Sequence, residues 1–248
     1  ASVDLPTIGV SGGPMLNGHH QGETIGSGTG VWKLDADLNA GVITEEDFIN
    51  AEISMSRSKG NCMTMGTAST MGSMVEALGM SLPGNAAIPA VDSRRYALAH
   101  MSGKRIVEMV WEDLTPRNII TENSVENAVT VAMAMGCSTN AIIHLIAMAR
   151  RAGVNLTMDD LDKKGRKIPL IANIRPSGKD YLMEDFYYAG GILSLMYSLT
   201  SQLNLEEITV SGMKLGELID GKDWINKEII RKGEKKRERE GEREGGKG

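Results

Sequence analysis

The strongest chemical signal in the chain is a cysteine standing between glycines just ahead of a run of small residues, Ser58-Lys59-Gly60-Asn61-Cys62-Met63-Thr64-Met65-Gly66-Thr67-Ala68-Ser69-Thr70-Met71. The spacing predicts a helix over 63–78 with Cys62 at its start. Free N–H groups and the positive end of the dipole at a helix N-terminus favour a thiolate, the form that binds iron or attacks an electrophile. Gly66, Ala68 and Ser69 leave room for backbone or a cofactor to approach. The residues alone leave three roles open for Cys62: metal or cluster ligand, nucleophile, or buried inert thiol. One thiolate cannot hold an iron–sulfur cluster, so the first role demands ligands from elsewhere. Cys137 lies in a second glycine-containing turn, and two such cysteines read as thiols rather than as a bridge.

Four other patterns are weaker. Gly9-Val10-Ser11-Gly12-Gly13 matches the nucleophile elbow of hydrolases, but an elbow turns directly into a helix. Here Pro14-Met15-Leu16-Asn17-Gly18 continues as loop, so the bare amides of Ser11, Gly12 and Gly13 read as a turn facing a ligand. Asn17-Gly18-His19-His20-Gln21-Gly22-Glu23 gathers imidazoles, an amide and a carboxylate, with His20 and Glu23 as ligand-facing candidates. Gly26-Ser27-Gly28-Thr29-Gly30 lacks the Lys-Ser/Thr pair of a phosphate loop. Asp35, Asp37 and Glu46 have the spacing of a calcium loop, yet Ala40 stands where that loop needs glycine, so a solvated turn is preferred.

These residues need a frame. The chain has 248 residues, 41% apolar and 24% charged, with 29 Gly, 16 Met and two Phe. Glycine at about 12% exceeds the usual roughly 7% and implies close backbone approach. No apolar run approaches the roughly 18 residues of a membrane span, and the reading is a cytoplasmic chain without membrane contact. The first residue is not Met and a strand-like run follows at once, which suggests a segment of a longer protein. Lys232 to Gly248 contains only Lys, Arg, Glu and Gly. It has no apolar side chain to bury and is expected to be disordered. The body, 1–231, then carries 20 basic and 27 acidic residues, a net −7 that argues against nucleic acid as a partner.

Short β-type runs are expected at 7–10, 86–90, 170–174 and 208–210. Helices are expected from Thr44, a hydroxyl cap with Asp47 three residues on, through about Arg57, and over 94–101, 105–113, 124–135, 139–152 and 183–201. The runs 128–135 and 141–148 are apolar nearly all round and are expected to be buried. Alternating strands and helices predict an α/β layered domain with a mainly parallel sheet flanked by helices.

At the Cys62 window the chain resembles the dihydroxyacid and sugar-acid dehydratase family, which includes phosphogluconate dehydratase. The likeness extends through Glu76-Ala77-Leu78-Gly79-Met80-Ser81-Leu82-Pro83-Gly84. Further blocks are Val10-Ser11-Gly12-Gly13-Pro14-Met15, Ser138-Thr139-Asn140-Ala141 with His144-Leu145, and Pro176-Ser177-Gly178 with Met183-Glu184-Asp185-Phe186 through Gly191. Met65-Gly66-Thr67-Ala68-Ser69-Thr70-Met71 and Ala86-Ala87-Ile88-Pro89-Ala90 resemble the arabinonate and xylonate enzymes more than the branched-chain amino-acid enzyme.

The resemblance implies removal of water from a 2,3-dihydroxy acid to give a 2-keto-3-deoxy acid. The implied cofactors are an iron–sulfur cluster, 2Fe–2S in preference to 4Fe–4S, and Mg2+. In the implied elimination a base takes the C2 proton, a cluster iron binds the C3 hydroxyl, and magnesium holds the carboxylate and C2 oxygen. Cys62 corresponds to the last of three cluster cysteines, with Ser11, Gly12, Gly13, His20, Glu23 and Thr64 near the substrate. The other two cysteines and the magnesium ligands are expected upstream of Ala1, and the serine base in a C-terminal β-rich domain absent from this chain. The implied partners are a small sugar acid and further copies of the chain, as homodimer or tetramer. The expectation is therefore a partial dehydratase, inactive alone. The competing readings are a branched-chain dihydroxyacid enzyme, a non-catalytic dimerising module without a cluster, and a calcium module.

Overall fold

Capped, amphipathic runs become helices in this chain, while glycine- and proline-rich runs stay extended. The computed structural model describes residues 2–27, 29–222 and 226–231. The elements are β1 (Gly18–His20), β2 (Glu23–Ile25), α1 (Thr29–Asn39), α2 (Glu45–Met55), α3 (Thr67–Ala77), α4 (Ser93–Trp111), α5 (Pro116–Ile119), α6 (Glu122–Met135), α7 (Asn140–Arg151), α8 (Met158–Gly165), α9 (Met183–Tyr188), α10 (Gly191–Ser198), a 3-10 turn (Thr200–Gln202) and α11 (Leu215–Ile219).

Several expectations match. Thr44 caps α2 with the anticipated box, its hydroxyl accepting the Asp47 N–H and Asp47 accepting the Thr44 N–H. Helix α6 is buried almost all round and forms the central rod of the main core. Against it pack α3, α7 and α8, and α10 packs on α3.

Other expectations are corrected. The mainly parallel sheet is not seen among the described residues; the strands there form one antiparallel hairpin, β1 with β2. The run at 7–10 is extended rather than part of a ladder, and its Gly9 N–H donates to Met80 O at 2.8 Å. The runs at 170–174 and 208–210 take part only in isolated bridges, Ala172 with Ile230, Ile174 with Tyr181 and Ile208 with Lys214, and 86–90 is turn. A β-rich run of three to five residues has no ladder to join when its spatial neighbours are helices.

The expected helices 94–101 and 105–113 are one helix, α4, which continues through Gly103. The expected helix 183–201 is broken at Gly190 and Gly191, whose φ values of 101° and 62° belong to the left-handed region. Helix α7 is not enclosed: Ala141, Leu145 and Ala149 are buried while Ile143 is 69% exposed. Asp35 and Asp37 lie inside α1, so the calcium loop does not form. Lys232 to Gly248 lies outside the described residues.

A second, small core of Met55, Met63 and Leu182, with Met15, Ile25, Val31 and Leu34 partly buried around it, joins the hairpin and α1–α2 to the main body. Thioethers fill both cores, with Met63, Met65, Met74, Met109, Met135 and Met183 fully buried, which accounts for the high Met and low Phe content. Among the described residues no helix is long and apolar enough to cross a membrane.

Candidate functional site

Three segments meet around Cys62. The first is the strap at 11–15. Gly13 O accepts the Asn61 N–H at 3.0 Å, and the Met15 N–H donates to Asn61 O at 2.9 Å. The strap crosses so closely that a Cβ on Gly60, whose φ is 137°, would lie 2.6 Å from Pro14 C. The second is the turn after β2, where Ser27 Oγ lies 2.6 Å from Cys62 Sγ and Gly26 packs on Leu182 and Thr64. The third is 174–183: Arg175 O accepts the Met65 N–H at 2.8 Å, and the Met183 N–H donates to Met63 O at 2.8 Å.

The thiol itself is half-buried, 2.8 Å from Thr64 Oγ1, and accepts the Thr64 N–H at 3.4 Å. Sequence reasoning placed Cys62 immediately before a helix over 63–78. The helix instead starts at Thr67 after the extended cap Gly66, because the N–H groups of Met65 and Gly66 are already given to Arg175 O and Thr64 O. Cys62 therefore sits in the turn before α3, dressed by two hydroxyls.

Beneath the strap lies a buried polar network that sequence reasoning missed. Arg95 is 7% exposed, and its guanidinium donates to Ser11 O at 2.9 Å, to Asn85 O at 2.7 Å and to Ile88 O. Ser11 returns to the same loop: its N–H donates to Asn85 Oδ1 and its hydroxyl to Asn85 O, both at 3.0 Å. Glu76 is buried in the same region and accepts the N–H groups of Gly84 and Ala86 at 2.7 and 2.8 Å. Burial pushes its carboxyl up to about 7, opposed by those two N–H bonds and by Arg95. The only hint in the sequence is a carboxylate amid the apolar positions Met74, Ala77 and Leu78.

The predicted substrate-facing residues thus separate. Ser11 and Gly13 are tied into the scaffold, and a Cβ on Gly13 would lie 2.6 Å from Arg95 Nη2. Gly12 is exposed, with open space where a Cβ would point. Thr64 touches the thiol. His20 and Glu23 line a cavity of about 640 Å³ between the hairpin, α1 and the loop 175–179, which also holds Lys33, Asp37, Arg175 and Lys179. One residue links the cavity to the segment after Cys62: Arg175 lines the cavity, and its carbonyl accepts the Met65 N–H. The three cations were not anticipated; the only signal was their position beside the glycines of the Gly26–Gly30 and Pro176–Gly178 turns.

The donor set present here suits part of a cofactor site only. Cys62 offers one accessible soft ligand, while Cys137 is a half-buried thiol whose ionisation burial disfavours. Among the described residues no group of three His, Cys, Asp or Glu side chains could hold a metal ion. These residues do not by themselves complete a cluster or a magnesium centre.

This arrangement, a glycine strap and a hydroxyl-dressed cysteine ahead of a small-residue helix, belongs to a defined class. Residues 1–218 match the family model described as dihydroxy-acid/6-phosphogluconate dehydratase N-terminal, and the chain belongs to that family. It is 52% identical over 238 residues to the L-arabinonate dehydratase of Rhizobium leguminosarum bv. trifolii (strain WSM2304), covering 95% of this chain and 41% of that protein. It is 46% identical over 231 residues to the D-xylonate dehydratase of Caulobacter vibrioides, covering 92% and 38%. A dihydroxy-acid dehydratase of Caldanaerobacter subterraneus is 41% identical over 233 residues, covering 93% and 42%. The chain spans about two fifths of the length of these curated relatives.

Proposed function

We propose that this chain is part of a sugar-acid hydro-lyase, one that removes water from a 2,3-dihydroxy aldonic acid to give a 2-keto-3-deoxy acid. The observation carrying the reading is family membership together with the ordering of identities. The aldonate dehydratases named above stand at 52% and 46%, against 41% for the dihydroxy-acid enzyme of Caldanaerobacter subterraneus. The cavity chemistry is compatible, because cations and carboxylates line it together.

In this reading residues 1–231 are a portion of the N-terminal cofactor domain, and Lys232 to Gly248 forms a separate charged tail. Parts of the relatives outside these 248 residues would supply partner strands for a mainly parallel sheet and the C-terminal β-rich domain. Cys62 is one thiolate ligand of an iron–sulfur cluster of the 2Fe–2S type, with Mg2+ as second cofactor. Their remaining ligands, and the catalytic base, come from those same outlying parts. Two free thiols suit a reducing cytoplasm.

We further place the protein in a homodimer or tetramer, supported by the apolar residues that α4 leaves exposed, among them Val107 and Trp111. Sedimentation of the wild type against Trp111→Glu checks this, with dissociation expected.

The test of the activity is a chimera in which residues 1–231 replace the matched segment of the Rhizobium leguminosarum enzyme. It should form keto acid from L-arabinonate or D-xylonate, and Cys62→Ser should abolish turnover and visible absorbance together. A folded chimera that dehydrates only branched-chain dihydroxy acids, or none, overturns the reading.

A further inference from the structure

We infer that Glu76 is a proton-controlled positioning residue: its ionised carboxylate holds the loop 84–88, and through Arg95 and the strap at 11–15 that hold reaches the Cys62 turn. The device lies in the frame of the turn and is independent of which acid is dehydrated.

The first support is a loop gripped from two sides. Glu76 Oε1 accepts the Gly84 N–H and Oε2 the Ala86 N–H, at 2.7 and 2.8 Å. The guanidinium of Arg95 donates to carbonyls of the same loop, Asn85 O at 2.7 Å and Ile88 O. An acid on α3 and a cation on α4 thus share one segment, and among the described residues no ion pair joins them directly.

The second support is the path onward. Arg95 also donates to Ser11 O at 2.9 Å, and the Ala90 N–H donates to Pro14 O at 2.8 Å, so the strap is tied to the loop at two points. The strap in turn brackets the residue before Cys62, through the Asn61 N–H to Gly13 O and the Met15 N–H to Asn61 O. A shift of the loop is therefore a shift of the strap against the thiol-bearing turn.

The third support is the chemistry of the acid. Each Glu76 oxygen serves one N–H, and a neutral carboxyl, whose hydroxyl is a donor, does not keep both. Proton uptake frees Gly84 or Ala86 and leaves Arg95 a buried cation without its counter-charge. Arg95 is the charged group that acts on Glu76, with Asp92 and Tyr187 acting on Arg95 in turn. Of the other helices packed on α3, α10 carries only Tyr197, while Glu122 and Glu126 of α6 and His144, Arg150 and Arg151 of α7 are exposed. Burial pushes the Glu76 carboxyl up to about 7, which brings the change of state to neutral pH. Local order and global stability then respond to pH in opposite directions. Desolvation makes the charge costly to the whole fold, whereas the loop depends on that charge.

Amide hydrogen exchange of the 248-residue chain, followed by NMR from pH 6 to pH 8 and corrected for the intrinsic rate, tests this. Protection at Gly84, Ala86, Asn61 and Met15 should rise by about fivefold or more, with a midpoint of about 7. Amides of α6 such as Val131, which open only with the whole fold, should lose protection over the same range. Glu76→Gln has nothing to titrate and should hold the four amides at the low value at every pH. Arg95→Lys keeps the buried charge but loses the fork; it should retain the rise at Gly84 and Ala86 and cut it about twofold or more at Asn61 and Met15. No rise in the wild type overturns the proposal, whether or not the variants fold. A rise that survives in Glu76→Gln overturns it as well. So does a wild-type rise confined to Gly84 and Ala86, which would leave Glu76 holding its own loop and nothing beyond.

Discussion

The strap beneath Cys62 and the cavity beside it are both rich in charge, but the charges are arranged in opposite ways. Under the strap, Arg95 and Glu76 are buried and their bonds run to backbone atoms of loops that would otherwise diverge. Around the cavity, Lys33, Arg175 and Lys179 form none of the ion pairs seen among the described residues. Polar groups that spend their bonds internally build the frame; polar groups held rigid yet left unpaired are available to a ligand. Family motifs do not distinguish the two kinds, since Ser11 and Gly13 belong to a family block and serve the frame.

The comparison breaks most sharply at Arg95. Arg95→Ala removes a buried cation and strands the carbonyls of Ser11, Asn85 and Ile88. A loss of about 4 kcal/mol is expected, read as a fall of roughly 10 °C in melting temperature. Gly13→Ala should come next, at about 3 kcal/mol in denaturant unfolding, because φ there is 86° and the new Cβ meets Arg95 and the Ile88 carbonyl.

Glu76 sharpens the contrast through pH. Its carboxyl is raised from 4.5 to about 7, so between those values the folded state binds more protons than the unfolded state. Stability must then fall as pH rises through that window, by up to about 3 kcal/mol. Glu76→Gln, with nothing to titrate, should flatten this slope in melts at pH 5, 6 and 7.5, and an unchanged slope would remove Glu76 as its source.

Effects on stability should shrink at the reactive turn. Cys62→Ser keeps a small polar atom beside Ser27 and Thr64 and should cost less than about 1 kcal/mol, while removing one of the two thiols counted by a thiol reagent. The smallest stability changes belong to Lys33→Ala and Lys179→Ala, within about 2 °C of wild type by scanning calorimetry.

Local signals were legible in the sequence. The Thr44 cap and the buried α6 both follow from residue type and spacing, because each is decided within a few residues. The sheet was not, since whether 170–174 becomes a strand depends on what lies next to it in space, and there it meets only single bridging residues at Tyr181 and Ile230 and the end of α6 at Ala134. Half of the candidate site was visible: His20 and Glu23 were marked by a polar cluster between glycines. Lys33, Arg175 and Lys179 were hidden because their meaning lies in the absence of partners, and pairing is a property of the folded chain. Arg95 was hidden for the converse reason, since nothing in Ser93-Arg94-Arg95-Tyr96 separates the exposed guanidinium from the buried one.

The thioether-filled cores carry a consequence for how such a chain can change. Unbranched side chains such as Met63, Met65 and Met183 swing to fill space that a phenyl ring would leave as a void or meet as a clash. Neighbouring positions can then exchange one residue for another without forcing the Cys62 turn to move. A frame of this kind permits the lining of a neighbouring pocket to be exchanged over evolutionary time while the Cys62 turn keeps its shape.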